Sequence, residues 1–128
     1  MKDNSGDLKA GFILINPFSE IDNARQRKSY FEAFALAGTY FEYYGYLKLK
    51  GIISREKLDR MTAGPIREAL IKRKLIDPKI NKKMKEVITL RNDLVHPEGD
   101  IARKYRLKSD EIALLDVAKE CIKELMFI

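Results

Sequence analysis

The chain has 128 residues, of which 45% are hydrophobic and 34% charged, the proportions of a globular protein rather than a disordered one. A chain of this length forms one domain that buries roughly two-thirds of its unfolded surface around a single core. It has no run of 18 apolar residues, so no membrane span is expected. A single cysteine, Cys121, excludes an intrachain disulfide and four-cysteine or cysteine–histidine zinc sites, and fits a reducing cytoplasm. No cofactor is expected.

Residues 1–18 read as a loosely attached arm, with residues 19–128 as the domain. The apolar patch Phe12 to Ile15 is too short, and its flank too acidic, for a signal peptide. It is expected either to add an edge strand or to cap a groove. Ser19-Glu20-Ile21-Asp22 reads as a capping box that opens a helix of about 30 residues, running to Lys50 and stopped by Gly51. Two apolar rows at three-four spacing run along it: Phe31, Phe34, Gly38, Phe41, Gly45, and Tyr30, Ala33, Ala37, Tyr40, Tyr44, Leu47. One row makes an ordinary amphipathic helix, whereas two adjacent rows make an arc wider than one core contact needs. Either the helix is central to the monomer, or one row packs in the core and part of the other meets a second subunit. The second is the expectation.

A second helical segment begins at Ser54, is interrupted at Ala63-Gly64-Pro65, and resumes with Pro65 in a first turn to run to about Leu75. Asp77-Pro78 caps a third helix, Pro78 to about Val95, with Ile80, Met84, Val87, Ile88, Leu94 and Val95 on its apolar stripe; Pro97-Glu98-Gly99-Asp100 ends it. After a loop of about a dozen residues, Ser109-Asp110-Glu111 caps a last helix, whose face is Ile112, Leu115, Ala118, Ile122 and Leu125, widened by Leu114 and Val117. No stretch alternates as a strand does. The expected fold is an all-α bundle of four to five helices.

The net charge of +6 is concentrated. Arg67, Lys72, Arg73, Lys74, Lys79, Lys82, Lys83 and Lys85 face only Glu68 and Asp77 in the same stretch, while the other 17 cations and 17 anions cancel. A basic stripe on an otherwise neutral chain points to a polyanion partner or, equally, to a solvated helix face.

Arg91 is the informative position. It lies four residues after Val87 and three before Leu94, on the apolar stripe of its helix. A guanidinium keeps its proton, and burying it unpaired is costly. It therefore pairs with an acid such as Glu42 or Asp93, or lines a cleft awaiting an anion. His96, the only histidine, is roughly 140° from Arg91 on an ideal helix. Because Pro97 pushes it out of the α region, it is free to swing toward the arginine; alternatively it sits at the helix end, stabilised by the dipole. Lys85, Thr89, Asn92 and His96 make a polar seam beside the stripe. Chemistry that needs two imidazoles must draw the second from another chain.

Arg91, the polar Asn92 directly after it, and His96 after three further residues resemble the R-X4-6-H motif of HEPN domains. That family is an all-α bundle with the motif late in a helix, beside a long helix and before a final one, an order that matches residues 20 to 126 here. The resemblance implies a homodimer that brings two motifs into one cleft and acts as a metal-independent endoribonuclease with Arg91, His96 and Asn92 catalytic. Many members are toxins of toxin–antitoxin or abortive-infection systems, which makes an antitoxin protein a candidate partner. The branch paired with nucleotidyltransferase antitoxins has a tyrosine two residues after the histidine. Glu98 stands there, so regulation through that tyrosine is not expected.

The chemistry suits the residues: histidine transfers protons near neutral pH, and arginine stabilises a crowded anionic transition state. Lys82, Lys83 and Lys85, with Arg103, Lys104, Tyr105 and Arg106, are the candidates for tracking RNA backbone and stacking a base. The alternative is a non-catalytic HEPN-like module that binds RNA, nucleotide or a partner protein. A small helical DNA-binding regulator ranks behind both, because no helix-turn-helix pattern stands out.

Overall fold

A computed structural model describes residues 16–95 and 106–127. The described chain is all-α: α1 (Pro17–Gln26), α2 (Tyr30–Leu49), α3 (Arg55–Leu58), α4 (Ala63–Lys72), α5 (Pro78–Val95), α6 (Ser109–Ile112) and α7 (Leu114–Phe127). Among the described residues the nearest approach to a sheet is an isolated bridge between Lys50 and Ile53. No helix among the described residues is long and apolar enough to cross a membrane. The expected strand or groove cap at Phe12 to Ile15 lies outside the described residues.

The expected 30-residue helix is two helices. It begins earlier than the Ser19 box, at Asn16, whose Oδ1 accepts from the backbone N–H groups of Phe18 at 2.9 Å and Ser19 at 3.2 Å, with Pro17 at the first helical position. It then stops at Gln26 in a Schellman turn: Lys28 takes φ 60, its N–H reaches the Arg25 carbonyl, and the Ser29 N–H reaches that of Ala24. The usual sign of such a stop is glycine, and here lysine holds the left-handed position, so no sequence signal marks the break. Packing favours the break, because folding α1 back onto α2 and α7 buries Ile21 and Ala24 completely. Ion pairs fasten α1 to α7: Arg25 to Asp116 at 2.7 Å and Lys119 to Asp22 at 2.8 Å.

α2 is the axis of the bundle, in contact with α1, α4, α5 and α7. That is why its apolar arc is wide. Phe34, Phe41, Ala33, Ala37, Gly38 and Gly45 are all buried within the chain, Tyr30, Tyr40 and Tyr44 are half-buried, and Phe31 and Leu47 remain 43% and 45% exposed. Most of the excess surface that suggested a second subunit is thus covered inside the monomer. Gly45 sits so close to Ile66 of α4 that a Cβ there would collide with the isoleucine side chain. α2 ends where expected, at Gly51 with φ 87.

The segment from Ser54 is shorter than a full helix: α3 is one turn, capped by the Ser54 hydroxyl accepting from Lys57 N–H at 3.3 Å. α4 starts at Ala63, which places Pro65 in its first turn, where its missing N–H costs nothing. It closes with a second Schellman turn at Lys74, φ 59. α5 has the expected bounds, and Asp77 Oδ1 accepts from Ile80 N–H at 2.8 Å. The last helix is broken at Ala113 into α6 and α7. The Lys108 N–H donates to Glu111 Oε1 at 3.0 Å at its start, and Leu115, Ala118, Cys121, Ile122 and Leu125 are buried. Burial drives the Cys121 thiol pKa up to about 12, so it behaves as a small apolar residue rather than a nucleophile.

Candidate functional site

Arg91 occupies the second-last turn of α5, between the buried side chains of Val87, Ile88 and Leu94. These anchor the helix against α2 and α7 and aim the guanidinium across α2. There it lies on Gly38: a Cβ built on that glycine would stand 2.8 Å from Arg91 Nε and 3.2 Å from Cζ. Any larger residue at position 38 would therefore displace the guanidinium. One terminal nitrogen donates to Asn92 Oδ1 at 3.0 Å, and the other to Glu42 Oε2 at 3.4 Å. Nε is buried and has no hydrogen-bond partner among the described residues.

Of the two acids expected to pair with Arg91, Glu42 is the one that meets it. Gly38 and Glu42 are one turn apart on α2, so they share a face, the glycine making a slot and the glutamate a wall. The pair is partly open to solvent, with side-chain exposures of 22% for Arg91 and 34% for Glu42. The separation of 3.4 Å is long for a charge-assisted bond, which usually closes to about 2.7–2.9 Å. Together with the orphaned Nε, this leaves a cation whose hydrogen-bonding capacity is only partly used. An incoming anion gains from an arrangement of this kind.

His96 lies outside the described residues, as do Arg103, Lys104 and Tyr105 of the expected RNA-binding loop. Arg106 is described and exposed. Asn92 is exposed and touches Arg91 through its carbonyl oxygen. The three lysines do not gather around Arg91. Lys83 is held by Glu120 of α7. That hydrogen bond raises the lysine pKa and lowers the glutamate's. Lys82 and Lys85 are exposed, roughly 180° and 120° around α5 from Arg91 at 100° per residue. They line a cavity of about 540 Å³ with Glu86, Thr89, Leu90, Asp93, Glu111 and Leu114, on the other side of the helix. Lys85 and Thr89 of the polar seam thus face a different surface from the arginine, while Asn92 reaches it.

The sequence pattern placed Gly38 only in an apolar row of the long helix. Its actual neighbour is a guanidinium, and the spacing of Gly38 and Glu42 is the signal that could have located the slot. A tyrosine ladder lies on the far side of α2, with Tyr40 and Tyr44 stacked at 6.3 Å and Tyr43 edge-on to Tyr44 at 5.0 Å. The Tyr40 hydroxyl donates to Glu20 Oε1 at 2.9 Å. Burial, then that bond, pushes its pKa well above the usual tyrosine value, so it serves as a neutral tie between α1 and α2. No group of three or more histidine, cysteine, aspartate or glutamate side chains among the described residues could hold a metal ion.

Compared with protein-family models, with curated proteins and with solved structures, the chain matches none.

Proposed function

We infer that the chain is a metal-independent endoribonuclease of HEPN type, with Arg91 and His96 acting at the scissile phosphate and two chains pairing to bring two motifs together. The observation that carries this is the seat of Arg91, a half-buried guanidinium near the end of α5 with its Nε unpartnered and its other nitrogens on loose or neutral partners. A structural arginine would be saturated; this one keeps donors for a phosphate.

In the proposed step the 2′-oxygen attacks the adjacent phosphorus as the imidazole of His96 takes its proton. The bond to the 5′-oxygen breaks, and that oxygen leaves with a proton from the second imidazole or from water. The products are a 2′,3′-cyclic phosphate and a 5′-hydroxyl. Arg91 neutralises the crowded phosphorane oxygens, exchanging its long contact with Glu42 for a short one with the anion. Asn92 orients the guanidinium through its carbonyl oxygen. A toxin or abortive-infection role, with an antitoxin protein as inhibitor and the cytoplasm as the place of action, is part of the same proposal.

The Arg91–Glu42 pair favours one competing role, a non-catalytic module in which the arginine is a fixed strut. A cleavage assay on total RNA separates the two. The wild-type protein should cut in EDTA, leave cyclic phosphate ends, and spare 2′-deoxy and 2′-O-methyl positions. Arg91→Ala and His96→Ala should remain helical and lose most of the rate. Dependence on magnesium, 5′-phosphate products or cleavage of DNA would rule the mechanism out. Tight RNA binding without any cleavage would leave the non-catalytic module. Sedimentation showing only monomer at micromolar concentration would remove the paired site.

A further inference from the structure

We propose that the corner where α4 turns into α5 is the surface on which this protein grips the backbone of single-stranded RNA, at a distance from Arg91. Lys72, Arg73, Lys74, Lys79 and Lys82 fall within eleven residues, and all are exposed. Ion pairs neutralise many cations elsewhere: Arg25 with Asp116, Arg27 with Glu32, Lys83 with Glu120, Lys119 with Asp22. At the corner no described carboxylate forms an ion pair with any of the five. Arg73 reaches only the Ala69 carbonyl of its own helix, at 3.3 Å. The nearest acid in sequence, Asp77, caps α5 through the Ile80 N–H and keeps its charge, one anion against five cations. The positive charge found in the sequence is therefore held at this corner outside direct ion pairs, although Lys79 acts through space on Glu120 and Lys82 shares its cavity with Glu86, Asp93 and Glu111.

The kind of partner follows from what surrounds these cations. Ile76 and Ile80 are buried and Ile71 and Leu75 are partly buried against the core, so the corner offers no apolar face to insert into a bilayer. The cations belong to two elements and a turn rather than to one plane, which suits a flexible polyanion that can bend from one contact to the next. The proposal rests on RNA being the substrate, and it moves the backbone contact from Lys83, which is tied to Glu120, to residues on α4 and its turn. Lys79 and Arg91 are twelve residues apart on α5, which is about 18 Å along the axis. At a rise of 3.4 Å per nucleotide in a stacked strand, a substrate touching both spans at least about five nucleotides.

The test is the salt dependence of binding to a fluorescent, fully 2′-O-methylated 20-nucleotide RNA, which cannot be cut. Five phosphate contacts should contribute about 3.5 to the slope of log K against log salt, at roughly 0.7 per contact on a single strand. A variant with Lys72, Arg73, Lys79 and Lys82 changed to Gln and Lys74 to Gly should keep its helical circular dichroism and lose about that much slope. A control changing the exposed lysines 28, 50, 57, 108 and 123 to Gln alters the net charge equally and should leave most of the slope in place. On a cleavable RNA the corner variant should raise KM and leave kcat nearly unchanged. Equal losses in the two variants, or an unchanged slope in the corner variant, would overturn the proposal. So would loss of binding to phosphatidylserine vesicles with RNA binding intact. If the slope falls as stated yet no RNA is cut by the wild type, the corner stands and the ribonuclease assignment fails. If RNA is cut with a slope indifferent to the corner, the reverse holds.

Discussion

Replacing Gly38 by alanine tests the seat of Arg91 directly. Two effects oppose each other. Alanine in place of glycine in a helix interior stabilises by about 1 kcal/mol. The new Cβ, however, would stand 2.8 Å from Arg91 Nε and 3.2 Å from Cζ, inside ordinary contact. Overpacking of this kind costs about 1–3 kcal/mol where the neighbour cannot yield. Arg91 is 22% exposed and can lift outward, at the expense of its contact with Glu42. The net change in the wild-type background is therefore a loss of roughly 0–1 kcal/mol, at the low end of that range. In an Arg91→Ala background the obstruction is gone, and Gly38→Ala should stabilise by about 1 kcal/mol. The coupling between the two sites is then about 1–2 kcal/mol, larger than the scatter of independent sites. Arg91→Ala alone should cost about 1 kcal/mol rather than the 3–5 kcal/mol of a fully buried pair, because Glu42 at 34% exposure stays hydrated when left alone. Urea unfolding of the four proteins, followed by circular dichroism, measures the cycle. If the proposed ribonuclease reading holds, cleavage by Gly38→Ala should also fall sharply, since its arginine is displaced while its fold is kept. If Gly38→Ala stabilises equally in both backgrounds, the guanidinium does not rest on that glycine and the geometry drawn for the site is wrong.

Two further outcomes follow from the same physical terms. Lys28 and Lys74 hold left-handed conformations at φ 60 and φ 59, which cost a residue with a Cβ about 1–2 kcal/mol each. Lys28→Gly and Lys74→Gly should each raise stability by about 0.5–1 kcal/mol after the entropy of glycine in the unfolded chain is counted, and a lower unfolding midpoint in either would contradict the Schellman turns. Acid should weaken the packing of α7 on its neighbours. The Arg25 hydrogen bond holds Asp116 below the usual carboxylate range, and the Lys83 hydrogen bond does the same for Glu120. Both contribute stability above the ordinary carboxyl pKa of about 4, and that stability is lost as pH falls through their lowered values. Stability measured from pH 6 down to 2 should therefore fall less steeply in Asp116→Asn/Glu120→Gln than in wild type. Parallel curves would show that these pairs hold nothing.

Helical periodicity and breakers are local, so the chain's own residues were enough to determine the class of fold, the bounds of α5 from Asp77-Pro78 to Val95, the stop at Gly51, and the buried face of α7. They were enough, too, to set Arg91 on an apolar stripe and to name Glu42 as one of two acids for it, because a charge among buried residues must be answered. The break between α1 and α2 was not legible, because a lysine rather than a glycine makes the turn and the gain comes from burying Ile21 and Ala24 on distant helices. The double apolar arc of α2 was ambiguous for a related reason: arc width reports how many neighbours a helix has, not whether they belong to the same chain. Only the assembled bundle decided that Arg91 rests on Gly38 and that Lys83 is bound to Glu120, whereas the turn of Lys82 and Lys85 away from Arg91 follows from 100° per residue. Spacing along one helix sets angles about its own axis, but which of those directions meets a partner depends on where the other helices pack.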